Sequence, residues 1–232
     1  MSSIDLRLGD CLEVLKSIPD NSIDLIVTDP PYLIDAGKSG GAFGTDKRSY
    51  HKDVKTLSDG ITSQVLDESV RVLKKPNIYL WCNKNQLRQY IDYFEGIGCT
   101  TELLTWHKTN PVPACGNKYL TDTEFILFFR QKGVKVHGSF NTKRTWYATP
   151  LNQKDKKIYG HPTIKPLEII ENLVINSSLE GGQVLDPFMG SGTTGAACKH
   201  LRRNFIGIEI DQNYFATAKE RIEKTDDESD RE

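Results

Sequence analysis

With 232 residues, 38% of them hydrophobic and 9% aromatic, the chain can bury a real core, which excludes a disordered or fibrous protein and suits a single α/β domain. No apolar run approaches the roughly eighteen residues of a membrane span, and the opening MSSIDLRLGDCLEVL has no basic patch followed by an apolar leader stretch. The formal net charge of −1 hides an asymmetry, because residues 108–165 hold eleven Lys or Arg against three acids and the remainder is therefore acidic.

Taken in chain order, short apolar runs alternate with amphipathic stretches, the pattern of an α/β protein. Ile23–Thr28 (IDLIVT) reads as a buried strand stopped by Asp29-Pro30-Pro31. Ile61–Lys74 carries apolar residues at helical spacing (Ile61, Val65, Leu66, Val70, Leu73). Asn77–Cys82 predicts a strand, Asn85–Phe94 a helix, and Leu103–His107 and Glu124–Arg130 two more strands. Pro166 suits the start of a helix reaching about Leu179. Gln183–Asp186 and Phe205–Ile210 are the last strands, with a helix from Thr193 between them and a closing helix over Tyr214–Lys224.

Two stretches break the pattern. Residues 33–56 are glycine-rich without apolar period and read as a mobile loop. Residues 130–160 are basic with Trp146, Tyr147 and Tyr159 interleaved, a combination that suits contact with a polyanion. An acidic tail occupies residues 225–232. The cysteines (Cys11, Cys82, Cys99, Cys115, Cys198) form no CxxC pair, which favours reduced thiols in a cytoplasm over a disulfide scaffold or a metal site.

The residues that carry chemistry lie at two strand ends. In VLDPFMGSGTTG, Val184–Gly195, a strand runs into a glycine-rich turn that opens a helix. Glycines there admit close backbone approach, and the helix start offers unpaired N–H groups. FIGIEID follows and places Glu209 where it could accept hydrogen bonds from ribose hydroxyls. No Lys follows the glycines, so a P-loop is excluded, and a nucleoside cofactor is expected. The second signal is Asp29-Pro30-Pro31-Tyr32. Its carboxylate and backbone carbonyls can accept both N–H bonds of an amine conjugated to a base ring, which frees the amine lone pair, while Tyr32 can stack the ring.

Together these motifs resemble the amino-methylating, S-adenosylmethionine-dependent DNA methyltransferases. DPPY at 29–32 looks like their catalytic motif and DPFMGSGTT at 186–194 like their cofactor loop, in the order of the permuted β class. His161-Pro-Thr-Ile-Lys165-Pro matches that class's HPTxKP segment, and Gly9-Asp10 its usual opening. The resemblance spans Leu8 to about Ile222.

It implies a Rossmann-like fold, with a mostly parallel seven-stranded sheet and helices on both faces. By position, Asp29 and the Pro30 carbonyl would hold the target amine, Pro31 would fix the turn and Tyr32 would stack a flipped base. Phe188, Gly190, Ser191, Gly192 and Thr193 would line the cofactor, with Asp186 ordering the loop. Glu209 would take the ribose hydroxyls and Asp10 the adenine, while Thr163 and Lys165 would reach the methionine carboxylate. Lys165 has a competing reading as a phosphate contact or surface charge.

The implied reaction is direct methyl transfer to the N6 amine of adenine in DNA, without a metal. Cytosine N4 is the alternative acceptor. The short 130–160 insert would read the target, with Lys143, Arg144 and Trp146 on DNA and Lys154, Lys156 and Lys157 on phosphates. Lys47, Arg48 and Tyr50 would belong to a closing loop. A homodimer or a restriction–modification partner is expected, and no membrane. GSGTTG also fits the fingerprint of an NAD-dependent oxidoreductase, a reading that leaves DPPY and HPTIKP unexplained.

Overall fold

Asn77–Cys82 (NIYLWC) is buried along its whole length, as expected of a strand covered on both faces, and it lies inside one large sheet. The computed structural model describes residues 2–32, 60–113, 117, 119–151, 153–160 and 163–225. The expected mobile loop 33–56 with Lys47, Arg48 and Tyr50, His161, and all but the first residue of the acidic tail lie outside the described residues.

In chain order the elements are β1 (Ile4–Leu8), α1 (Cys11–Leu15), β2 (Leu25–Thr28), α2 (Ser63–Val72), β3 (Asn77–Cys82), α3 (Leu87–Gly96) and β4 (Cys99–Lys108). They continue with β5 (Thr123–Gln131), β6 (Trp146–Thr149), α4 (Gln153–Tyr159), α5 (Leu167–Ser177), β7 (Gln183–Asp186), α6 (Thr193–His200), β8 (Asn204–Glu209) and α7 (Gln212–Glu223). The sheet order is β1-β8-β7-β2-β3-β5-β4-β6, and β5 alone among these strands runs antiparallel to its neighbours.

Alternation along the strands sorts the core into two layers. Leu25, Val27, Tyr79, Trp81, Ile126 and Phe128 face α5, α6 and α7. Ile26, Ile78, Leu80, Leu127 and Phe129 face α1, α2 and α3. Each fully buried side chain of this size contributes roughly 1.5–3 kcal/mol, so the central strands supply much of the stability.

The sheet has eight strands where seven were expected. The eighth, β6, arises inside the basic segment and pairs in parallel with β4 through Thr105↔Trp146 to Lys108↔Thr149. That segment is thus partly a sheet edge followed by a short helix. Its polar composition hid WYAT, since an edge strand needs few buried residues and only Tyr147 of the four is buried. β1 escaped notice for the same reason, because IDLRL alternates on the other edge and is only half-buried.

Candidate active site

β1, β8, β7, β2 and β3 are mutually parallel, so their carboxyl ends share one rim of the sheet. From β7 the chain winds through α6 to β8, whereas from β2 it winds the other way to β3. The crevice between β7 and β2 is therefore a switch point, where open α/β sheets bind ligands.

One half of the rim is built around the glycine loop. Asp186 at the end of β7 is buried, and three donors converge on it: Thr28 Oγ1 at 2.7 Å, Thr194 Oγ1 at 2.7 Å and the Phe188 N–H at 3.1 Å. Burial pushes its carboxyl up to about 6, against those three bonds. Gly190 and Gly192 then take φ values of +51° and +79°, a region that favours glycine, and Gly192 caps α6. A Cβ at Gly195 would sit 2.3 Å from Ile222 Cδ1, so the third glycine is needed for packing of α6 on α7.

Glu209 at the end of β8 reaches across to this loop. Its Oε2 accepts the Gly190 N–H at 2.9 Å and its Oε1 accepts the Asp211 N–H at 2.8 Å, while burial raises its carboxyl above the ordinary range. Gly9 at the end of β1 donates its N–H to the Glu209 carbonyl at 2.9 Å, and the exposed Asp10 caps α1 by accepting the Leu12 and Glu13 N–H groups. Ser191 and Thr193 are buried, Phe188 is half-buried, and Thr163 is exposed.

Sequence reasoning missed Arg221 here. Its side chain, 4% exposed, donates to Thr193 Oγ1 at 2.8 Å, pairs with Asp155 at 3.4 Å and lies 4.3 Å from the Tyr159 ring centre. It therefore joins the glycine loop to α4, and only its position on the amphipathic α7 could have hinted at that.

These residues fit S-adenosylmethionine. Two carboxylates (Asp186, Glu209) are bonded to the loop and Asp10 follows the Gly9 that is bonded to the Glu209 carbonyl, a set that suits a ribose diol and a cationic sulfonium and opposes the pyrophosphate of a dinucleotide.

The other half is the DPPY turn after β2. Gln86, fully buried in the loop after β3, donates to the Pro31 carbonyl at 3.2 Å and to Tyr90 Oη at 2.9 Å, holding the turn from below. Asp29 Oδ2 receives the Lys165 ammonium at 2.7 Å. Asp29 Oδ1 is closed off from solvent and has no hydrogen-bond partner among the described residues. Burial raises the Asp29 carboxyl, and Lys165 opposes that rise.

Lys165 is 5% exposed, which excludes the surface-charge and phosphate readings. Its ammonium, expected at the methionine carboxylate, bridges Asp29 and Glu124 Oε2, the latter at 3.0 Å. Glu124 Oε1 pairs in turn with Lys108 at 2.7 Å, and the Tyr32 hydroxyl donates to Glu124 Oε2 at 3.3 Å. Burial alone would raise the Glu124 carboxyl, but Lys165 and Lys108 outweigh it and hold the group at about 2.

Sequence reasoning missed Glu124, Lys108 and Gln86. Glu124 arrives because β5 is antiparallel, so its first residues share the rim with the last residues of β3 (Cys82↔Phe125) and β4 (His107↔Thr123).

The proposed DNA-contact residues lie at the β6 edge. Lys143 and Arg144 are exposed, Trp146 is 52% exposed, and the Arg144 guanidinium lies 5.9 Å from the Trp146 ring centre. Of the three lysines on α4, Lys154 and Lys157 are exposed. Lys156 is half-buried, with its ammonium disfavoured first by burial and then by Lys108 and Lys165.

Fold and rim together define a Rossmann-like, S-adenosylmethionine-dependent methyltransferase with a carboxylate poised beside the cofactor loop. Residues 23–220 match the family model described as DNA methylase, and the chain belongs to that family. It is 31% identical over 241 residues to the type II methyltransferase M2.LlaDCHI of Lactococcus lactis subsp. cremoris, covering 93% of this chain and 88% of that one. It is 30% identical over 240 residues to M2.DpnII of Streptococcus pneumoniae, with the same coverage.

Among solved structures, the M1.HpyAVI–SAM complex aligns with a TM-score of 0.69 at 27% identity, over 95% of this chain and 100% of that one. The PvuII cytosine-N4-specific methyltransferase aligns with a TM-score of 0.73 at 18% identity, over 95% and 86%, a likeness of fold alone. The chain is a DNA methyltransferase, and its methyl donor is S-adenosylmethionine. The oxidoreductase reading falls with this finding. Among the described residues no helix is long and apolar enough to cross a membrane.

Proposed function

We propose that the chain methylates the N6 amine of adenine at a specific DNA site, with Asp29, Pro30, Pro31 and Tyr32 as its catalytic turn. The observation that carries this reading is Asp29 Oδ1, a buried acceptor without a donor among the described residues, at the switch point of the sheet. Asp29 Oδ1 and the Pro30 carbonyl accept the two amine N–H bonds, localise the nitrogen lone pair and aim it. Bound along the loop, S-adenosylmethionine supplies an electrophilic methyl group for direct in-line displacement. Catalysis is positioning plus electrostatics, without a covalent enzyme intermediate.

Asp10, Phe188, Gly190, Ser191, Gly192, Thr193 and Glu209 hold the cofactor, and Asp186 fixes the loop that carries them. Thr163 reaches the cofactor's methionine carboxylate. Asp in the first position of the motif favours adenine over cytosine N4. Tyr32 stacks the flipped base, whose release from a duplex costs a few kcal/mol. Lys143, Arg144 and Trp146 contact DNA from the sheet edge, and Lys154 and Lys157 contact phosphates. So short a reading segment suits a short or relaxed recognition site, or one to which a second subunit contributes contacts; a homodimer or a restriction–modification partner is the proposed association. The enzyme is cytoplasmic, where its DNA lies; four of its cysteines, Cys11, Cys82, Cys99 and Cys198, are free thiols.

The test is transfer from labelled S-adenosylmethionine to unmethylated DNA, with nucleosides identified by mass spectrometry. N6-methyladenine from wild type, lost in Asp29→Ala with cofactor binding intact, is the expected result. N4-methylcytosine would overturn the choice of base. No methylated base, with cofactor still bound, would overturn the DNA reading.

A further inference from the structure

The rim holds four charged side chains that the methyl-transfer scheme does not use equally. Lys165 has three ammonium protons and four neighbours around them. Asp29 Oδ2 lies at 2.7 Å and Glu124 Oε2 at 3.0 Å, while the ring centres of Trp81 and Tyr32 lie at 5.0 and 5.3 Å. The carboxylates take two of its protons, and the aromatic faces surround the rest of the charge. Glu124 is itself held from the other side by Lys108. The order Lys108–Glu124–Lys165–Asp29 alternates in sign and ends at Asp29 Oδ1, which has no hydrogen-bond donor among the described residues.

We propose that Lys165 is a positioning residue for the acceptor amine, acting through Asp29: it occupies Oδ2 and so reserves Oδ1 for the substrate, with Glu124 and Lys108 fixing its ammonium. The proposal rests on the reading of Asp29 as the amine's acceptor. It assigns to the lysine of the HPTxKP segment a task on the substrate side of the crevice. Tyr32 is tied into the same device, because its hydroxyl donates to Glu124 while Lys165 lies over its ring. One carboxylate thus sets both the amine's acceptor and the stacking ring.

The charged and titratable groups around Asp29 are known from every described element packed on it. Lys165 and a hydrogen bond from Tyr32 oppose its protonation, and Glu124 favours it. Tyr32 lies on its own turn, Cys82 ends β3 with Tyr90 behind it, Asp186 ends β7, and Lys156 approaches the Lys108–Glu124–Lys165 side from α4. Removing Lys165 leaves burial and Glu124 both driving a proton onto Asp29, and a protonated Asp29 is a poor acceptor. Removing the charge of Glu124 has the opposite sign.

The full chain would be labelled with aspartate carrying 13C at its carboxyl carbon, and Asp29 assigned by the signal lost in Asp29→Asn. Wild type, Lys165→Met and Glu124→Gln are titrated, and for each the S-adenosylmethionine Kd and the pH profile of kcat on DNA are measured. Expected are an Asp29 midpoint raised by at least one pH unit in Lys165→Met and lowered in Glu124→Gln. The acid limb of kcat moves up with it by the same number of pH units, so activity lost in Lys165→Met is recovered at higher pH, and Kd stays within twofold.

A Kd weakened tenfold with an unmoved Asp29 midpoint would overturn the proposal and return Lys165 to the cofactor. An unmoved midpoint with unchanged Kd would overturn it as well. If Lys165→Met does not fold, the downward shift in Glu124→Gln decides. Failure of wild type to methylate DNA would defeat the reading of the reaction instead, and the titration would still decide what Lys165 does to Asp29.

Discussion

Replacing Asp186 separates the cost of a buried charge from the value of the bonds made to it. In wild type its two oxygens take Thr28 Oγ1, Thr194 Oγ1 and the Phe188 N–H. Asn keeps the shape, and Thr194 can rotate its hydroxyl to accept from the new amide, so at neutral pH Asp186→Asn costs no more than about 1 kcal/mol. Ala strands a backbone N–H and two hydroxyls in a buried site, which costs about 3–5 kcal/mol and loosens the glycine loop, so S-adenosylmethionine affinity falls as well.

The pH dependence carries the sharper test. Burial raises the folded carboxyl from 3.8 to about 6, so the native state holds this proton more tightly than the unfolded chain does. The stability contributed by that proton is complete below about pH 4 and is lost as pH rises through about 6. A gap of two pH units corresponds to about 3 kcal/mol. Denaturant unfolding of wild type and Asp186→Asn in parallel, from pH 4 to 7.5, should therefore show wild type losing about 3 kcal/mol relative to the variant, with a plateau above pH 7. A difference independent of pH would refute the argument that burial dominates the environment of Asp186.

Two further outcomes follow from the geometry. Arg221→Met removes the bond to Thr193 and the pairing with Asp155 and Tyr159; calorimetry should find S-adenosylmethionine bound about tenfold more weakly, in a protein destabilised by about 2 kcal/mol. Unchanged cofactor affinity would confine Arg221 to a structural task. Trp146→Ala, at an exposed edge, should weaken DNA binding by about 1–3 kcal/mol in a filter or anisotropy assay while leaving cofactor affinity and melting temperature nearly unchanged. Equal loss in cofactor affinity would mean that the substitution disturbs the sheet rather than a DNA contact.

Much of this was legible in the chain because it is local. NIYLWC and QVLD announce buried strands by composition, and both occupy the predicted residues. Gly190, Gly192 and Gly195 announce a tight strand-to-helix turn because few other residues tolerate the φ values and contacts found there. DPPY sits where a strand must stop, and an acid at that point in a parallel sheet faces the ligand crevice.

What the sequence could not reveal are partnerships made across the sheet. Glu124 meets Lys165 only because β5 runs antiparallel between β3 and β4, a choice of strand order that no local pattern encodes. Lys165 consequently gave no sign in the sequence of its pairing with Asp29, and its surface reading fell when the fold buried it there. Arg221 and β6 were hidden likewise, one by an amphipathic helix and the other by a polar edge. Local periodicity and turn chemistry specified the elements and the two motifs, whereas long-range strand pairing decided which charges they share.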